Sequence, residues 1–175
     1  MQVYVVDPKT YAAVENDIAN IGVLAGTEAT AQQVVDTMKQ AEADVTAKVG
    51  SLTPATTFLE IYSKPLMTAG GETFIDDMIT LAGGTNLGAT AGSGFPTFST
   101  EVLFKNDPAV YIADSGSMGE PGDIAKRSGF ADLTAVKDGH VYVIDDSIIA
   151  RPGPRLAQGL QELVKMIHPE AAAAQ

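Results

Sequence analysis

No cysteine occurs among the 175 residues. That absence removes thiolate zinc sites, iron–sulfur clusters and thiol nucleophiles together. It leaves the redox compartment open, while suiting an oxidising one where a stray thiol is a liability. Bases are scarce as well. Eleven Lys and Arg face twenty-two Asp and Glu, for a net charge of -11. Such a surface repels phosphate backbones, so neither nucleic acid nor anionic lipid is expected as a partner. Only two histidines are present. His140 follows a turn and His168 lies near the end of the last helix pattern, so a shared metal is not expected. No run approaches 18 apolar residues, the length of a membrane span. The glycine stretches GGETF, GGTNLG and GSGF contain neither GxGxxG after a strand nor GxxxxGK[ST], and a nucleotide site has no support. Ser115, Ser117, Asp114 and Asp123 cluster without a histidine base, so a hydrolase triad is not expected.

What is present reads as an α/β fold. The opening MQVYVVDP has the pattern of a strand, Val3 to Val6, closed by Asp7-Pro8. It shows no basic region leading into an apolar one, which leaves a cytoplasmic protein or an excised piece of a longer one. Thr10 is placed to cap a helix over 11–24 that ends at Gly26. Thr27 or Thr30 opens a second, longer helix, and Thr30-x-x-Gln33 has the form of a capping box. Ala31, Val34, Val35, Met38, Ala41, Val45 and Val49 recur on one face of it up to Gly50. At 1.5 Å per residue it spans roughly 30 Å, which suits either a packing scaffold or a rigid spine between two lobes.

Residues 56–62 read as a buried strand in which Glu60 is edge-facing or paired. Thr73 starts a helix ending at Gly83-Gly84, and Ser99 caps another over 100–105. Val110 to Ala113 and Val141 to Ile144 form further strands, the second after an Asp138-Gly139 turn. A loop with a short helical piece at 124–127 lies between them. Leu156, Leu160, Leu163, Val164 and Ile167 mark the final helix, and 171–175 reads as a frayed tail. Strands alternating with helices predict a mostly parallel sheet covered on both faces, in three layers. Ligands of such sheets sit beyond the carboxyl ends of the strands. Here those ends feed Ser63-Lys64-Pro65, Asp114-Ser115-Gly116 and the stretch from Asp145 to Arg151.

Four residues are candidates for binding. Phe95, in Gly94-Phe95-Pro96, occupies a rigid turn that either projects an aromatic ring toward a planar ligand or fills the core. Tyr62 ends the first buried strand. Arg151 follows the last strand and is either a donor to a ligand or a solvated surface cation. Glu101 lies in the first turn of its helix, where the dipole alone would favour a carboxylate. Gly70-Gly71 reads as a tight turn into a helix, or as one whose backbone N–H groups also meet a ligand, and Asp145-Asp146 as an exposed turn with at most weak affinity for a cation.

The pieces VYVVDPKTYAAVENDIANIGVLAGTEATAQQVVDTM, PLMTAGGETFIDDMITLAGGTNLGA, GFPTFSTEVLFKNDPAVYI, AVKDGHVYVIDD and RPGPRLAQGLQELVKMIHPE occur in this order and cover most of the chain. In that order the chain resembles the substrate-binding proteins of ABC importers for vitamin B12 and iron–siderophore complexes, which have two lobes joined by one long helix. The resemblance implies that 1–50 is the end of a first lobe plus the interlobe helix, and that 51–175 is a second α/β lobe. Most of the first lobe is absent. It also implies that Phe95 contacts a cobalamin, at a position where the family more often has tryptophan. The carboxylate of Ser-x-Glu, here Glu101, would face an arginine pocket on the membrane permease. Tyr62 and Arg151 would stand beside the cleft.

The expected function is therefore extracytoplasmic capture of a cobalamin-like corrinoid and its delivery to the permease, with no catalytic residue, cofactor or resident metal. An iron–siderophore, haem or other metal chelate is the alternative ligand. A non-transport interaction domain that retains the lobe is a further alternative, and a small-molecule enzyme is the least supported. The apolar stripe on the long helix implies that the chain by itself forms a homodimer.

Overall fold

A computed structural model describes residues 3–117 and 121–173. Two helices come first, α1 (Tyr11–Ala25) and α2 (Glu28–Val49). Then follow β1 (Ala55–Ser63), β2 (Leu66–Thr68), α3 (Phe74–Leu81), β3 (Gly84–Asn86), α4 (Thr100–Asn106) and β4 (Val110–Asp114). The chain closes with α5 (Pro121–Ala125), α6 (Thr134–Lys137), β5 (Val141–Ile144), α7 (Asp146–Ile149), α8 (Leu156–Ile167) and α9 (Pro169–Ala173).

The sheet runs β2-β1-β4-β5, with β3 also on β1. β1 is parallel to β3 and β4, and β4 to β5; only β2 is antiparallel. Alternation along the strands divides the core in two. Leu59, Val110, Ile112 and Ile144 meet α2, α3 and α8 on one face. Phe58, Tyr111 and Ala113 meet Leu103, Ile124, Phe130 and Leu133 on the other. The result is a three-layer α/β lobe with a mostly parallel sheet. α8 buries Leu156, Leu160, Leu163, Val164 and Ile167 at helical spacing. The stripe Val35, Met38, Ala41, Val45 and Val49 is buried, most of it in the same core as the sheet. No helix among the described residues is long and apolar enough to cross a membrane.

Several sequence expectations need correction. Val3 to Val6 form no strand, and all four residues are exposed. A strand requires partner carbonyl and amide groups, and no described strand lies beside this segment. It is held instead by Tyr4, whose hydroxyl donates to Asp17 at 2.8 Å and accepts from Asn20 at 2.9 Å. Thr30 caps nothing, because Gly26 in the left-handed region ends α1 and α2 starts directly after Thr27. Gly84 begins β3 instead of extending a helix cap. The helical piece expected at 124–127 starts earlier, at Pro121. Part of the frayed tail is α9, whose Ala171 N–H donates to His168 O at 3.0 Å; 174–175 lie outside the described residues. His168 does more than face a helix dipole. It is buried, and its Nε2 lies 3.0 Å from Gly83 O, joining the end of α8 to the turn after α3.

Candidate functional site

Parallel pairing sets the carboxyl ends of β1, β4 and β5 side by side. They lead into residues 63–65, 114–117 and 145–151. Two of these connections are tied together, since Asp146 N–H donates to Ser115 Oγ at 3.0 Å. The rim is therefore joined between β4 and β5.

Tyr62 stands at the β1 end. The β1–β2 register shifts between Glu60 and Tyr62, a bulge that breaks regular pairing. Bulges re-aim side chains near binding sites. This one leaves Tyr62 41 % exposed although Glu60, two residues earlier, is fully buried.

Phe95 is 48 % exposed, which decides between projection and core packing. The ring that fills the core is Phe98, edge-on to Phe58 at 4.9 Å between centroids. The loop carrying Phe95 is laced to β2 and its extension. Thr68 N–H donates to Pro96 O at 3.1 Å, Gly70 N–H to Gly94 O and Gly71 N–H to Gly92 O, each at 2.8 Å. A Cβ on Gly70 would run into Gly92 O, so Gly70 is needed for backbone approach as well as for the turn. This lacing puts Phe95 at the outer edge of the sheet, opposite Ala69 and back from the carboxyl end of β1.

Arg151 follows β5, at the opposite edge of the sheet from β2. The structure thus brings Tyr62 and Phe95 to the β1–β2 side and sets Arg151 apart, with β4 between. Arg151 is exposed and pairs with Asp146 Oδ2 at 3.5 Å. Glu101 is exposed in the first turn of α4, whose Ser99 hydroxyl accepts from Val102 N–H at 3.4 Å. Phe98 N–H donates to Leu66 O at 2.8 Å and Leu66 pairs with Ser63, so α4 starts level with the carboxyl rim. Asp145-Asp146 is accounted for without a cation: Asp145 caps α7 through Ser147 N–H at 2.8 Å. The bonds from Ser147 hold the Asp145 carboxyl below its usual range. Among the described residues, no group of three His, Asp or Glu is arranged to hold a metal.

One buried polar cluster is not legible in the sequence. Glu60 is paired, and it receives both ends of the Arg127 guanidinium, Nη2 to Oε1 at 3.0 Å and Nη1 to Oε2. The Tyr111 hydroxyl also donates to Oε2. Arg127 covers the Phe130 ring at 5.4 Å. Burial alone would lower the guanidinium pKa; the bonds and charge of Glu60 outweigh it and raise it. Burial, then the Glu60 charge, push the Tyr111 phenol up. The signal available in the sequence was a glutamate inside an apolar strand, but no spacing points from it to residue 127.

The sequence profile of the periplasmic binding protein family matches residues 1–148. The uncharacterized ABC transporter substrate-binding lipoprotein YvrC of Bacillus subtilis is 29% identical over 168 residues, covering 94% of this chain and 52% of its own length. The cobalamin-binding protein of Halobacterium salinarum is 28% identical over 156 residues, covering 86% of this chain and 42% of its own. The crystal structure of a possible iron-binding (periplasmic solute-binding) protein from Staphylococcus epidermidis has a TM-score of 0.82 at 29% identity, over 95% of this chain and 66% of that one. The vitamin B12 binding protein BtuF of Vibrio cholerae shares the fold, with a TM-score of 0.82 at 20% identity over 100% of this chain and 67% of that one. The chain spans about half the length of these curated relatives.

Proposed function

The chain belongs to the periplasmic binding protein family, and from that membership we propose that it is an extracytoplasmic ligand-capturing component of an ABC importer. The ligand is a cobalamin-like corrinoid, which Tyr62 and Phe95 contact with their exposed rings and Arg151 reaches from the far edge. The captured ligand passes to a membrane permease, toward which Glu101 presents its carboxylate. No bond is made or broken in this process.

The observation that carries the reading is Tyr62, turned out by a bulge at the carboxyl end of a central strand, on the same side of the sheet as an exposed Phe95. Aromatic faces suit a flat macrocycle. The names of the cobalamin-binding relatives support the corrinoid. A ferric chelate is the second reading, favoured by the likeness to the possible iron-binding protein of S. epidermidis. Quenching of tyrosine fluorescence during titration with cyanocobalamin and with ferrichrome tests both. Saturable quenching that is reduced in Tyr62→Phe supports capture. A linear, unsaturable response to both chelates contradicts it.

A further inference from the structure

Two parts of this chain lack a strand neighbour, and they suit each other. The first is an edge of the sheet. Residues 92–98 run beside β2 and its extension, with Thr97 antiparallel to Met67. Phe98 N–H donates to Leu66 O, Thr68 N–H to Pro96 O and Gly70 N–H to Gly94 O, while Gly94 N–H returns a bond to Gly71 O. Residues 94, 96 and 98 thus turn their backbone groups inward. Alternation turns the N–H and C=O groups of Ser93, Phe95 and Thr97 outward. Gly94 bends the segment, with φ of 74°, without breaking this order. Ser93, Phe95 and Thr97 are exposed, and among the described residues none of their backbone groups has a hydrogen-bond partner. Charge, a usual protection of a sheet edge, is absent from 92–98. The N–H that Pro96 lacks falls on the inner side, so it does not block the outer one. The opposite edge differs: β5 is half-buried to buried along its length, and α5 packs against it.

The second part is residues 3–6, three valines and a tyrosine, which are strand formers with no strand beside them. None of their backbone groups has a partner among the described residues. The Tyr4 hydroxyl is held on α1 by Asp17 and Asn20, while Val3 and Val5 stay 70 % and 78 % exposed. Within one molecule this segment and the 93–97 edge do not pair. We propose that a second copy of the chain is the missing neighbour, residues 3–6 of one molecule adding as a strand to the 93–97 edge of another. The pairing satisfies backbone groups on both sides. It also sets a valine beside the exposed Phe95 ring, an aromatic–β-branched pair of the kind favoured across strands. Reciprocal exchange closes a two-fold dimer, whereas one-way addition continues into longer chains. This pairing is independent of ligand capture.

Because the chain has no cysteine of its own, engineered thiols report contact between molecules without background. Val3→Cys and Val5→Cys chains are mixed in turn with Ser93→Cys, Phe95→Cys and Thr97→Cys chains under oxidised glutathione. A disulfide requires the two Cα atoms to lie within about 7 Å. At least one mixture should form the mixed disulfide about tenfold faster than the same valine variants mixed with Gln32→Cys, an exposed position on α2. Equal rates in all mixtures would overturn the pairing. Val5→Pro with Val6→Pro removes an N–H from each side of the segment, where the lobe itself uses neither. In sedimentation this variant should self-associate about tenfold more weakly, the scale of one backbone bond lost. Unchanged self-association in that variant, or a strictly monomeric parent chain, would equally overturn the pairing.

Discussion

Glu60 and Arg127 lie 67 positions apart in sequence and form a two-pronged ion pair beneath the carboxyl end of β1. Glu60 is fully buried, and the Arg127 side chain is 21 % exposed. The pair fastens the segment after α5 to the central strand.

Removing one partner should therefore cost more than removing both. Arg127→Met takes the countercharge from a buried carboxylate that the Tyr111 hydroxyl still bonds, and should lower unfolding free energy by about 3 kcal/mol. Glu60→Leu combined with Arg127→Met should restore most of that loss. Urea denaturation of the two variants measures the difference. Additive losses would show that the pair is not coupled.

Glu15 of α1 gives a dependence on pH. Its carboxylate is buried, and Oε1 has no hydrogen-bond partner. Burial first, then the charge of Glu42 on α2, raise its pKa, while Lys39 on α2 opposes them. Tyr11, one turn earlier on α1, adds no charge, its own phenol being pushed up by burial, Glu15 and Glu42. The folded chain thus keeps the Glu15 proton to higher pH than the unfolded chain. The contribution is fully present below the unfolded value near 4.5 and is lost as pH rises through the folded pKa. Glu15→Gln should leave the melting temperature unchanged near pH 4 and raise it near pH 8, by about 1 kcal/mol in stability, the lower end of the cost of an unpaired buried polar group. A constant difference across that range would rule out titration of Glu15 as the cause.

Much of this architecture is legible in the sequence, and the failures share a cause. α3 is found because its Thr73 cap and a buried stripe agree, α4 because Ser99 caps it, and α8 because its buried stripe recurs at helical spacing. β1, β4 and β5 are found because each is an apolar run bounded by turn residues. β2 and β3 are three residues long and carry no periodicity to detect. Val3 to Val6 have the composition of a strand but no neighbour, and composition does not report neighbours. At the site, the exposure of Phe95 was one of two open readings, decided by Phe98 occupying the core. The Glu60–Arg127 and Asp146–Arg151 pairs depend on tertiary placement that no local pattern encodes.

Glu101 should matter for delivery and not for capture. Glu101→Ala should leave chelate affinity unchanged and reduce association with permease-containing vesicles, more so at low salt. Unchanged association together with a slightly lower melting temperature would reduce Glu101 to a helix-dipole role.

Val3, Val5 and Val6 are exposed, as are Ile21, Val23 and Leu24 at the end of α1, and Val6 and Ile21 line one shallow hollow. An apolar surface of this kind seeks cover. Sedimentation of the isolated chain should show reversible self-association as concentration rises, weakened by Val23→Lys with Leu24→Glu. A strict monomer at high concentration would show that this surface stays solvated.

Calorimetric titration of cyanocobalamin into the chain and into its Phe95→Ala variant tests the central claim most directly. The account predicts one-to-one binding, weak because a single lobe supplies the contacts while the full cost of association remains, with Kd of about 10 μM or above. Phe95→Ala should weaken it by about tenfold, the scale of one lost aromatic contact. Equal affinity in the two proteins would remove Phe95 from the site. The absence of any saturable heat from the parent chain, with ferrichrome in place of cyanocobalamin as well, would contradict ligand capture itself.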